Sequence, residues 1–189
     1  MHPTEHRGLR ELYAMTRKLR NHWRALAERI DAVAPHEAGL LRSGADLAGA
    51  LIAELRDVTA ARGLYGKPMA QGLGARLAGV HNGLLDPALE INQALRLAVL
   101  DVVHVVTLLD YLALAASQHG DAELQGFLEG WAQRLRAHQD ALRAAAIALG
   151  GDPDRAVLPC TPGLAGRLGH GAASALGSFG EWFDGRARR

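Results

Sequence analysis

Residues 18–26 read K-L-R-N-H-W-R-A-L and residues 134–142 read R-L-R-A-H-Q-D-A-L, so one pattern, L-R-x-H-x-x-A-L, places a histidine in two separated parts of the chain. Histidine is the side chain best suited to ligate a transition metal or to move a proton near neutral pH. His138 falls in a run of inward apolar positions where leucine is expected, which directs it into the interior. His22 stands beside such a position, itself held by Trp23, and so belongs to the flank. Asp101 and His104, three residues apart, reach one side of a very apolar stretch, where an ionisable pair needs solvent, a partner or a metal. Glu54 lies close to an inward register, with Asp57 three residues on. Together, Glu54, Asp101, His104 and His138 form a candidate carboxylate and imidazole site suited on ligand type to iron, manganese or zinc. The competing expectation is that each is satisfied by polar neighbours and that no cofactor is bound.

The elements that must position these residues are helices. Inward residues at Leu9, Leu12, Thr16, Leu19, Trp23, Leu26, Ile30 and Val33 alternate three and four apart, which predicts a first helix ending before Pro35. A second is predicted from about Glu37 to Ala61, with Leu40, Leu47, Leu51, Leu55 and Val58 inward and Gly63 as its left-handed C-terminal cap. Leu73, Leu77 and Leu84 mark a short helix inside a glycine-rich crossover. Asp86-Pro87 has the form of a helix start, and the third helix is predicted from there to about Gln118. It is apolar nearly all round: Ile91, Leu95, Ala98, Val102, Val105, Leu109, Leu112 and Ala116 form one seam. Leu97, Val99, Leu100, Val103, Val106 and Leu108 lie outside it. Such a helix is central or sits in a subunit interface. Asp121 caps a fourth, with seam residues Leu124, Leu128, Trp131, Leu135, His138, Leu142, Ala145 and Leu149.

Composition narrows the class of function. The 189 residues are 49% hydrophobic, enough for one domain to bury its own core, and 21 Lys and Arg against 20 Asp and Glu leave a charge of +1. With no long basic run, nucleic acid is not an expected partner. The lone Cys160, between prolines in P-C-T-P, forms no intramolecular disulfide and fits a cytoplasmic location. The most apolar stretch is broken by Asp101, His104 and Asp110, so no integral membrane span is expected. Residues 152–189 form a separate Pro/Gly-rich region after a helical domain of residues 1–151. In it, Leu164, Leu168, Leu176, Phe179, Trp182 and Phe183 line one stripe of a C-terminal helix. That helix is expected to pack on the bundle or a second subunit, contact with a membrane surface being the alternative.

Residues 100–142 contain L-D-V-V-H-V-V-T-L-L-D-Y-L-A-L-A-A-S-Q-H-G-D-A-E-L and close on R-L-R-A-H-Q-D-A-L. This segment resembles the second hairpin of the ferritin-like superfamily, where a helix with an inward acid and a tyrosine leads through G-D-x-E-L to a helix ending in E-x-x-H. The chain over residues 9–149 is similar to small bacterial ferritin-like proteins of unknown function. The resemblance implies an all-α, up-down four-helix bundle with a long crossover, and His138 matches the histidine of the final motif. Three residues before it stands Leu135, and the inward acid of the third helix falls on His104. No E-x-x-H occurs in the chain. A di-iron centre needs about four carboxylates and two histidines, so the motif is degenerate and ferroxidase activity is not expected. The expected function is therefore non-catalytic: self-association into a homo-oligomer, dimer or higher, or partner and ligand binding, with a stress-related role. Trp131 and Trp182 are the expected interface anchors. The alternative is an atypical metal storage or redox protein using His138, His104, Asp101 and Glu54; a pocket for an apolar ligand or haem is a third class.

Overall fold

The computed structural model describes residues 2–64 and 89–160. Within them lie four long helices, α1 (Pro3–Ile30), α2 (Pro35–Ala61), α3 (Ile91–Gln118) and α4 (Ala122–Ala148), then a 3-10 turn (Leu149–Gly151) and the one-turn α5 (Pro153–Ala156). The all-α class is as expected. Among the described residues the only extended pairing is one bridge between Glu90 and Pro159. The expected short helix around Leu73, Leu77 and Leu84, the Asp86-Pro87 start and the apolar stripe from Leu164 to Phe183 lie outside the described residues.

The helix ends follow from local chemistry, in part as expected. Gly63 (φ 70°) and Gly120 (φ 73°) take the left-handed conformation that closes α2 and α3. Asp121 caps α4 by accepting from the Leu124 N–H at 2.9 Å. It also receives the Arg62 guanidinium on both oxygens, tying the end of α2 to the start of α4. The cap bond and then Arg62 hold the Asp121 carboxyl below its ordinary value against the opposing effect of burial. Its stabilisation is thus present above pH 4 and lost as pH falls below the ordinary carboxylate range. Asp121→Ala is expected to cost about 1–2 kcal/mol in urea unfolding, since it removes a cap and strips Arg62 of its partner.

Two starts differ from expectation. α1 begins at Pro3 rather than Leu9, because His2 accepts the Thr4 N–H and Glu5 reaches back to the His2 N–H at 2.7 Å, a capping box built on histidine. α3 begins at Ile91, where Glu90 and Gln93 form a second box. There residues 158–160 are fastened too: Ile91 N–H donates to Leu158 O, and Cys160 N–H to Leu89 O.

α1 packs on α2 and α3, and α4 packs on the same two. An added Cβ on Gly8 would meet Leu112, and His22 meets Asp101, so α1 runs against α3. Gly44 lies on His138 and Glu54 on Trp131, so α2 runs against α4. The end of α2 and the start of α3 therefore lie at opposite ends of the molecule, roughly 40 Å apart for helices of this length.

One apolar core joins all four helices and includes Trp23, Leu51, Leu55, Leu95, Leu109 and Leu135. The inward face of α2 is turned from the expected one. Leu51 and Leu55 are buried, but Leu40, Leu47 and Val58 are only half-buried, while Ala38, Gly44, Ala45 and Ala48 are wholly enclosed. The large Trp23 ring of α1 occupies the space that Gly44 leaves.

Candidate functional site

The four expected ligands go to different surroundings. Glu54 accepts the Trp131 indole N–H at 2.9 Å. Trp131 is 2% exposed and belongs to the core, so it is no interface anchor, contrary to expectation; Trp182 lies outside the described residues. His104 projects outward beside Glu11, 3.9 Å away. Asp101 bonds not to His104 but to His22, whose Nδ1 is 2.6 Å from its Oδ2, with the His22 side chain only 10% exposed. His22 was expected on a flank; the flank of α1 is where α3 packs. Among the described residues, no group of three or more His, Cys, Asp and Glu side chains is arranged to hold a metal ion.

His138 does point inward, as expected. Its ring lies against Trp23, with centroids 5.5 Å apart, and it holds a hydrogen bond with the Leu40 backbone. Its Nε2 is buried above Gly44 without a hydrogen-bond partner. Burial pushes the imidazole pKa down, against the Leu40 bond, which raises it. Because the unfolded chain then binds a proton more readily than the folded one, stability is fully present above pH 6.5 and falls as pH drops through that value. The midpoint of thermal unfolding is expected to fall between pH 8 and pH 5. His138→Leu should flatten that fall while leaving stability at pH 8 unchanged or up to about 1 kcal/mol higher.

A second cluster lies where α1 starts and α3 ends. Glu5 is 2% exposed, its Oε1 lies 3.2 Å from His119 Nδ1, and the His119 ring stacks on His2 at 5.0 Å. Glu5, Ala61, Arg62, His119, Gly120 and Asp121 line an open hollow there. His119 Nδ1 is committed to the Ala115 carbonyl at 2.7 Å and Arg62 to Asp121, while Glu5 Oε2 takes the His2 N–H and its buried Oε1 has no hydrogen-bond partner. The arrangement fastens helix ends.

Compared with family models, curated proteins and solved structures, the chain matches none.

The feature that local packing does not absorb is the outer face of α3. Leu97, Leu100, Tyr111 and Leu114 are 41%, 61%, 51% and 63% exposed, and Val103 borders them. With His104 and Thr107, both exposed, they complete the series 97, 100, 104, 107, 111, 114. Its spacing of three, four, three, four, three is that of a helix-pairing seam, lying opposite the seam that faces the core. Of the outer apolar residues expected on α3, Val106 is buried and Val99 and Leu108 pack partly on the core, which leaves Leu97, Leu100 and Val103 outside. By length and composition α3 is the one helix among the described residues that could cross a membrane; 39% of its most apolar window is buried.

Three of the charges flanking the stripe have partners within the chain. Asp101 is bonded to His22, Asp110 to Arg136, and Arg96 to Asn92. Beside the stripe, between α1 and α3, a cleft of about 170 Å³ is lined by Met15, Lys18, Leu19, Asp101, His104 and Val105.

Proposed function

We propose that this protein is a non-catalytic, ferritin-like four-helix bundle that works by self-association, with the outer face of α3 seating a second copy of the chain. The ferritin-like reading is supported by two antiparallel helix pairs joined through one end-to-end crossover, and by G-D-A-E-L folding as the α3–α4 turn and cap. The observation that carries the function is the second seam on α3. A helix with one apolar seam serves its own core, and a second at the same spacing matches a partner helix. Leucines and a tyrosine supply the buried area, and the pairing of Asp101 with His22 and of Asp110 with Arg136 keeps their cost of desolvation low.

Sedimentation velocity of the intact chain over a micromolar concentration series tests this reading. A mass of two or more chains is expected; a strict monomer throughout overturns it.

A further inference from the structure

We infer that the second copy docks antiparallel, about a two-fold axis level with the midpoint between His104 and Thr107. This rests on the self-association proposed above and adds its geometry. The seam falls into two columns, Leu97, His104 and Tyr111 on the α1 side, and Leu100, Thr107 and Leu114 on the α4 side. A two-fold at that level puts Leu97 in one layer with Leu114 of the second copy, Leu100 with Tyr111, and His104 with Thr107. Each layer is then apolar except the central one, where the groups are complementary. The Thr107 hydroxyl donates to Val103 O at 2.8 Å, which leaves its oxygen free to accept, and the His104 ring carries an N–H to donate. Parallel docking sets like against like: imidazole on imidazole, and two hydroxyls whose protons are both spent on carbonyls.

The rim points the same way. The antiparallel two-fold brings α1 of one copy beside α1 of the other. Met15 and Val105 line one cleft, so the axis level crosses α1 between Glu11 and Lys18. Both flank the stripe, Glu11 beside His104 and Lys18 in the cleft wall. The operation therefore sets Glu11 of each copy toward Lys18 of the other, opposite charges twice over. Parallel docking offers Arg96 to Asp101, but Asp101 is already held by His22 at 2.6 Å and Arg96 by Asn92 at 3.0 Å.

A spin label carried on an unnatural amino acid at Gln118, at the exposed end of α3, separates these geometries in the full chain. Antiparallel docking places the two labels about 37 Å apart along the helix axis, from a rise of about 1.5 Å per residue. Parallel docking places them level, at roughly the 8–10 Å spacing of packed helices plus the label arms. Pulsed electron resonance showing the long distance, lost on Leu100→Glu, is the expected result. The short distance overturns the antiparallel geometry and leaves self-association standing. A dimer whose label distance survives Leu100→Glu overturns both, as does a monomeric mass in the labelled sample.

Discussion

Gly44→Ala is expected to destabilise the fold by about 2–3 kcal/mol, measured as a lower urea midpoint with an unchanged slope. Helix propensity alone predicts the opposite sign, since alanine is favoured over glycine by about 1 kcal/mol in a helix interior. The added Cβ, however, would stand 2.1 Å from Trp23 Cζ3, 2.6 Å from Trp23 Cε3 and 2.3 Å from His138 Nε2. None of these atoms can yield cheaply: Trp23 is wholly enclosed and His138 Nε2 is itself buried. Other helical glycines calibrate the result. At Gly8 the nearest atom is a single methyl at the end of Leu112, at 2.4 Å, but Leu112 is itself wholly enclosed, so alanine there should cost less than at Gly44 without stabilising. At Gly126 nothing lies within 4 Å, and alanine should stabilise by up to about 1 kcal/mol. A Gly44→Ala protein as stable as wild type would contradict the packing of Trp23 on α2.

Leu100→Glu is expected to weaken self-association by at least a hundredfold, seen as a shift to the monomer in sedimentation. In a symmetric pair each chain contributes one Leu100, so two apolar side chains are lost and two carboxylates enter the joint. At about 1.5–3 kcal/mol for each leucine buried, the loss is roughly 3–6 kcal/mol, or a factor of a hundred to ten thousand. The folded chain itself should be unaffected, because Leu100 is exposed and faces away from the core. Val102→Glu, two positions on and wholly buried, should instead unfold the chain. The two neighbours thus separate association from folding on a single helix.

Much of this architecture is legible along the chain. Three-and-four spacing locates the four helices, and Asp121 and Gly63 mark their ends, because capping chemistry is local. The orientation of α2 is not legible in the same way. Counting apolar residues favours Leu40 and Leu47 as inward, yet Gly44 is buried because the Trp23 ring of another helix packs on it. The partner of Asp101 is hidden for the same reason: His104 lies one turn away in sequence, whereas His22 is brought in by the α1–α3 packing. The start of α1 is not legible in the sequence because histidine is not among the usual capping residues. On α3, apolar character all round was visible, but only packing distinguishes the residues spent on the core from those left outside. The two histidines of the opening pattern likewise part company, one bonded to Asp101 and the other set against Trp23 and Gly44.

The most direct test places a photo-crosslinking residue at Tyr111 in the full chain and irradiates an equal mixture of isotopically heavy and light protein. Heavy-to-light adducts are expected on the α3 stripe of the other copy, around Leu97, Leu100 and His104. Adducts confined to a single chain, for example on residues 65–88 or 161–189, would contradict it, because the outer face of α3 would then be covered by the protein's own segments rather than by a second copy.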